Sequence, residues 1–326
     1  EQFEFENQIN KMDDANLLFM VIKRFQEIDL HPDRISSMEM GYMFEELIRK
    51  FAEISNETAG EHFTPREVIK LMVNILFLND RDILTKKGIT KTIYDCCAGT
   101  GGMLSVAEEY LNELNPDARL EVFGQELNPE SYAICKSDLL IKGQNASNIK
   151  KGNSISEDKL ASEKFDYLIT NPPFGVKWEK FAKPVKAEHE QLGHGGRFGA
   201  GLPSVSDGSF LFLMHLMSKM KRPEDGGSRL ALVFNGSPLF SGSPSKTKNE
   251  SSIRQWIIEN DLLEAVIALP NQLFYNTGIS TYVWVISNHK PTVRKGKVQL
   301  INAIDFSKKM SKSLGNKRNE ITKKQI

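Results

Sequence analysis

Thr92-Ile93-Tyr94-Asp95-Cys96-Cys97-Ala98-Gly99-Thr100-Gly101-Gly102 is the stretch whose reading decides the fold. A β-branched and aromatic run ends in an acid, a glycine-rich turn follows, and a helix is expected from Met103. Strand, glycine turn and helix form the opening unit of a doubly wound nucleotide-binding sheet. Glycine lets the backbone turn tightly and approach a ligand with no side chain between them. The pattern lacks the full dinucleotide spacing, and the helix start carries no P-loop lysine. Neither a pyrophosphate nor a triphosphate is indicated.

Working outward, Leu120-Glu121-Val122-Phe123-Gly124 reads as a second strand, with Glu126 at its tip. An acid in that place is positioned to accept hydrogen bonds from both hydroxyls of a ribose. Asp95, at the tip of the first strand, is a carboxylate suited to an ammonium group. Alone, Asp95 reads better as a turn-stabilising acid and Glu126 as a surface acid. Together they fit a nucleoside that carries an amino acid, and that ligand is S-adenosylmethionine. A third strand ends at Asn153-Ser154, whose polar side chains are expected to reach the adenine amine of the cofactor.

The apolar run Phe165-Asp166-Tyr167-Leu168-Ile169-Thr170 reads as a buried parallel strand, and Asn171-Pro172-Pro173-Phe174 follows it. Two prolines cannot continue a central strand, so the chain leaves the sheet at its carboxyl edge, where open α/β sheets bind ligands. An amide, fixed backbone carbonyls and an aromatic face suit a planar base with an exocyclic amine. The plainer reading is a loop with Phe174 packed in the core. Upstream, Thr64-Pro65-Arg66-Glu67 predicts a capping box, with Thr64 as N-cap, opening a helix through Val68, Leu71, Met72 and Ile75. His62-Phe63 lies just outside that helix start, where an aromatic cover and free amide donors suit a ligand carboxylate.

Two further amphipathic patterns precede it, Met12–Glu27 and Met38–Phe51, the second with Tyr42, Met43, Leu47 and Ile48 on one side. The first is expected to end at His31-Pro32. Residues 176–208 form a long polar, glycine-containing stretch, read either as a loop closing over substrate or as a disordered insertion. Ser209–Met220 reads as a core helix, strands are expected at Arg229–Phe234, Leu262–Ala268 and Thr281–Ser287, and Ser241–Ser252 as a mobile loop. Lys246 and Lys248 in that loop are candidates for phosphate contact.

The 326 residues contain no apolar run long enough for a membrane span and no signal peptide. Three cysteines in the chain give neither a disulfide framework nor a metal spacing, so a reducing, cytoplasmic setting is expected. No metal ligand set is expected; His189 and His194 lack metal-ligand company. Formal net charge is zero, but from Lys290 to Ile326 the chain has 11 Lys or Arg against 2 acids, leaving 31 against 40 before it. A first residue that is not Met, and an end in a polar stretch, lead us to expect a piece of a longer protein.

Asp95-x-x-Ala98-Gly99-Thr100-Gly101-Gly102, Glu126 and Asn171-Pro172-Pro173-Phe174 resemble the signature of N6-adenine DNA methyltransferases. Over nearly the whole chain the resemblance is nearer to the modification (M) subunit of type I restriction–modification systems. Phe63-Thr64-Pro65-Arg66, Gly124–Glu130, Asn235–Phe240, Leu269–Thr281 and Ser313–Glu320 are similar to further blocks of that family. Asn153 departs from it, since relatives often place an acid there; Cys96 and Cys97 also depart, and are read as packing.

The resemblance implies a Rossmann-like α/β methyltransferase sheet of about seven strands with an amino-terminal helical domain. Its expected divisions are a helical domain at 1–57, a catalytic domain at 58–306, and a basic tail at 307–326 leading to a further segment. It implies site-specific methylation of a flipped adenine in double-stranded DNA, with Asn171, Pro172, Pro173 and Phe174 catalytic. The cofactor-binding set is expected to be His62, Phe63, Thr64, Pro65, Arg66, Asp95, Ala98, Gly99, Thr100, Gly101, Gly102, Glu126, Asn153, Ser154 and Asn171. No target-recognition segment is left over, so the resemblance implies a separate specificity (S) subunit, with a second M subunit and a restriction (R) subunit in the assembly. Protein-glutamine methyltransferases share the Asn-Pro-Pro motif but generally have Tyr in the place of Phe174. The same motifs also admit RNA N6-adenine methylation and an inactive cofactor-binding assembly module.

Overall fold

Alternating side chains that are buried on both faces dictate a sheet sandwiched between helix layers. On β4 (Tyr167–Thr170), Tyr167 and Ile169 join one core cluster and Leu168 the other. On β5 (Arg229–Asn235), Ala231 and Val233 face the first cluster, and Leu230, Leu232 and Phe234 the second. The computed structural model describes residues 5–29, 31, 33–35, 64–246, 249–275, 277–314 and 316–326. Among these, the helices Arg66–Phe77 and Gly102–Leu114 bring apolar side chains to the first cluster, and Ser209–Ser218 and Glu250–Glu259 to the second.

The main sheet has eight strands in the order β3-β2-β1-β4-β5-β7-β6-β8. Besides β4 and β5, these are β1 (Thr90–Asp95), β2 (Arg119–Glu126), β3 (Ile149–Lys151), β6 (Leu263–Ala268), β7 (Thr281–Ser287) and β8 (Gln299–Asn302). Neighbours from β3 to β5 are parallel, and β7 runs antiparallel to both β5 and β6. From β1 the chain builds outward through β2 to β3, then returns to place β4 on the other side of β1. The carboxyl ends of β1 and β4 therefore flank the topological switch point, where the crevice of an open sheet takes its ligand.

About seven strands are expected, and among the described residues the main sheet has eight. The additional one, β8, is a largely exposed edge strand with no inward apolar alternation to announce it. The first amphipathic pattern is two helices, Phe5–Asp14 and Leu18–Gln26, broken where Asn16 adopts a positive φ of 55°. The second helix ends before His31, and its Phe19 and Phe25 are exposed. The pattern at 38–51 lies outside the described residues. The stretch 176–208 is neither a bare loop nor a disordered insertion: it contains the helix Ala182–Leu192 and buries Trp178, Val185 and Phe198. Of the expected loop at 241–252, residues 241–246 are non-helical and only the last three residues, 250–252, are helical. Asn249 and Ser252 form a capping box that starts Glu250–Glu259. Lys246 there is exposed, and Lys248 lies outside the described residues.

The basic stretch after residue 306 folds as a hairpin of β9 (Lys308–Leu314) and β10 (Lys317–Glu320). It is fastened to the body: Lys317 is buried against the Glu67 carboxylate and the Leu273 carbonyl, and Ile321 joins the first core cluster.

Candidate active site

Asp95 ends β1 almost fully buried, and two donors hold its Oδ1: the Cys97 amide at 2.9 Å and the Thr170 hydroxyl at 2.7 Å. Thr170 is the last residue of β4, immediately before Asn171, so this bond ties the two strand tips across the switch point. Burial raises the Asp95 carboxyl to about 7, against the lowering by its two hydrogen bonds and with a further push upward from Glu126. A desolvated carboxylate of this kind gains most from a cation brought to it.

The turn after β1 is shaped by packing. Gly101 adopts a φ of 88°, and a Cβ there would stand 2.8 Å from Cys135 Sγ. Gly124 allows β2 to approach the turn, since its Cβ would meet that of Ala98 at 2.9 Å. Gly102, by contrast, faces open space. The Ala98 amide donates to the Gln125 carbonyl, and the Gly99 amide to Glu126 Oε2 at 2.8 Å. With the Asn128 amide on Oε1 at 2.7 Å, Glu126 is held rigidly by backbone donors, and each oxygen keeps a lone pair for a hydroxyl.

Other expected cofactor residues have structural partners. Asn153 Oδ1 accepts from the amides of Ile155 and Ser156, and the Ser154 hydroxyl donates to the Cys96 carbonyl at 2.6 Å. Ser154 thus joins the segment after β3 to the turn after β1. Arg66 pairs with Glu109 of the helix Gly102–Leu114. Thr100 lies half-buried in the turn just before that helix. His62 and Phe63 lie outside the described residues.

The capping box predicted at Thr64 is not formed. Pro65 is the N-cap, with a φ of −56°, and no side chain among the described residues caps the helix; Glu67 turns instead to Lys317. Freed from the helix, the buried Thr64 hydroxyl accepts a hydrogen bond from Asn171 Nδ2 at 2.9 Å. Asn171 Oδ1 is buried and has no hydrogen-bond partner among the described residues. An orphaned buried acceptor costs about 1–3 kcal/mol, and such atoms mark places where a ligand completes the pairing. Beside it Pro172 is buried, and Phe174 is half-buried against the first core cluster.

Sequence reasoning did not anticipate Thr170 or Arg197. Thr170 carried a signal, since it directly precedes the Asn-Pro-Pro motif at the strand tip. Arg197 carried none. It lies within 176–208, donates to the carbonyls of Ser154 (2.8 Å) and Ile155 (2.9 Å), and pairs with Glu188. It also reaches His215 Nδ1 at 3.2 Å, while His215 Nε2 lies 3.0 Å from the Tyr94 hydroxyl. Burial, and then Arg197, push His215 down to about 3, so its ring is neutral. No group of acids, histidines and cysteines that could hold a metal is found among the described residues. No described helix is long and apolar enough to cross a membrane.

A family model described as N-6 DNA Methylase matches residues 36–326. The chain is 30% identical over 308 residues to the type I restriction enzyme MjaIX methylase subunit of Methanocaldococcus jannaschii, covering 94% of this chain and 50% of that protein. It is 28% identical over 268 residues to the HindI methylase subunit of Haemophilus influenzae, covering 81% of this chain and 54% of the relative. Among solved structures, the type I restriction–modification methyltransferase subunit from Streptococcus thermophilus superposes with a TM-score of 0.73 at 26% identity, over 95% of this chain and 60% of the other. The chain spans about half the length of these curated relatives.

Proposed function

The chain belongs to the N-6 DNA methylase family, and from that premise we propose that it transfers a methyl group from S-adenosylmethionine to the N6 amine of an adenine in DNA. The observation that carries the reading is Asn171 Oδ1 at the β1–β4 switch point, buried and unpartnered among the described residues. It is an acceptor waiting for a donor, beside a desolvated carboxylate and a second carboxylate clamped by amides.

These residues fit the cofactor. Asp95 would take its ammonium group, Glu126 its ribose hydroxyls, and the open space at Gly102 leaves room at the turn. When bound, S-adenosylmethionine supplies an electrophilic methyl group. The lone pair of an adenine N6 amine is delocalised into the ring, which makes the nitrogen a poor nucleophile. Asn171 Oδ1 and the Pro172 carbonyl, accepting its two N–H groups, favour the pyramidal nitrogen on which attack depends. That is stabilisation by dipoles already in place, and it requires no covalent intermediate. Extrusion of the base from the duplex costs a few kcal/mol, part of which stacking on Phe174 offsets.

We place the catalytic unit in the described body from Thr64 onward, with the undescribed segment 36–63 supplying His62 and Phe63 to the cofactor. In this reading sequence choice comes from a separate specificity subunit, and a second methyltransferase subunit and a restriction subunit complete the assembly. The test is transfer of label from S-adenosylmethionine to double-stranded DNA, with and without a co-expressed specificity subunit, followed by identification of the modified base. N6-methyladenine is expected, and Asn171→Ala should abolish it while cofactor binding, read by calorimetry, persists. Label on protein glutamine, or full activity in Asn171→Ala, would sink the assignment.

A further inference from the structure

We propose that Thr64 is a positioning residue for Asn171, holding the side-chain amide so that its oxygen faces the substrate. The proposal rests on the reading of Asn171 as the acceptor of a substrate N–H. It extends that reading to the residue that decides which end of the amide is presented.

A primary amide has a donor end and an acceptor end of nearly the same shape. A pocket built for an amine works only if the acceptor end points inward. Asn171 Nδ2 is taken by Thr64 Oγ1 at 2.9 Å, whereas Oδ1 has no partner among the described residues. The hydroxyl can also donate, but a reversed amide would then set its NH2 against the substrate amine, donor against donor. With an amine in the pocket, only the observed arrangement satisfies both ends.

Thr64 is well mounted for this role. Its hydroxyl makes no cap for the following helix, and only 7% of the residue is exposed. Pro65 fixes the backbone next to it, and the helix Arg66–Phe77 buries Val68, Ile69, Met72 and Val73. The Thr64 oxygen is therefore carried on a rigid post, 107 positions from Asn171 in the chain. Sequence alone assigned Thr64 to the helix cap or to the cofactor, and the two roles separate experimentally.

The test compares Thr64→Val and Thr64→Ser in the full-length protein with the subunits it needs. It measures kcat for methyl transfer, KM for the acceptor, cofactor Kd and the thermal midpoint. Thr64→Val keeps the shape and removes the hydroxyl. It is expected to lower kcat by about 10- to 100-fold, the usual penalty for a slightly misplaced reacting group. Cofactor Kd and thermal midpoint should stay close to those of the parent, and Thr64→Ser should restore most of kcat. If Thr64→Val fails to fold, Thr64→Ala against Thr64→Ser makes the same comparison. Full kcat in the hydroxyl-free variant overturns the proposal; so does a rise in cofactor Kd as large as the fall in kcat, which would make Thr64 a cofactor ligand. These ratios are read relative to the parent. A parent that methylates an acceptor other than adenine would defeat the proposed substrate and leave the role of Thr64 still measured.

Discussion

Asp95 is an acid whose surroundings favour its neutral form, since burial outweighs the two hydrogen bonds that lower it and brings it to about 7. The folded protein therefore holds this proton where the unfolded chain has lost it. Between about pH 4 and 7, Asp95 accordingly removes stability as pH rises, and its contribution is level outside that window. Cofactor binding has the opposite sign. An ammonium group selects the ionised carboxylate, so binding below pH 7 must expel the proton. Affinity for S-adenosylmethionine is expected to rise by up to about tenfold per pH unit toward pH 7 and to level above it. Asp95→Asn should bind weakly at every pH and show no such slope. Calorimetric titration from pH 5 to 8 checks both; a flat profile in the parent protein would remove Asp95 from the ammonium site.

At the scale of elements, what was legible depended on whether burial leaves a periodic trace. β4, β5 and β7 are short, largely apolar runs, β1 and β2 turn apolar toward their inner halves, and the tips of three of these strands carry or directly precede Asp95, Glu126 and Asn171, so the residue pattern alone places the crevice. The edge strand β8 is too exposed for such a trace. The segment 176–208 was opaque for a different reason. Its anchors are single residues far apart, Trp178, Val185 and Phe198, and its central contact is a half-buried arginine that looks like surface composition. That arginine makes the segment a buttress for the polypeptide after β3. Arg197→Ala would strand Glu188 and the carbonyls of Ser154 and Ile155. Losing hydrogen bonds to a charged group predicts a loss of at least about 2 kcal/mol, read as a lower denaturant midpoint. Arg197→Lys should recover little of it, because an ammonium cannot reproduce the forked contacts. The link from Ser154 to Cys96 also predicts weaker cofactor binding in Arg197→Ala, even under conditions where the protein remains folded.

Across the whole molecule, the helix Arg66–Phe77 is the member that joins distant parts. Near its start Thr64 meets Asn171, and Glu67 meets Lys317 of the carboxyl-terminal hairpin. At its far end the Ile75 carbonyl accepts from Arg229 on β5, whose guanidinium also pairs with Glu264 on β6. The basic stretch from Lys290 onward is partly spent inside the fold. Lys317 is consumed in the Glu67 contact, Lys290 pairs with Asp261 at 2.6 Å, and Arg294 lies 3.8 Å from Glu264. Several of its cations hold the fold together and are not free for a polyanion. The Arg229–Glu264 pair is the most consequential of these contacts, because the Glu264 side chain is only 4% exposed. Removing Arg229 leaves the buried Glu264 carboxylate with only the more exposed Arg294 at 3.8 Å, and Arg229→Ala is expected to cost about 3 kcal/mol, the low end for a broken buried pair. Replacing both partners with apolar residues of similar volume, Arg229→Met with Glu264→Leu, should recover much of that, since no buried charge remains. Arg229→Met still loses the bond to the Ile75 carbonyl, so the double variant should fall short of full recovery. Chemical denaturation of the three proteins measures the comparison. If Arg229→Ala proved neutral, the anchoring of this helix to the sheet would have to come from its apolar face alone.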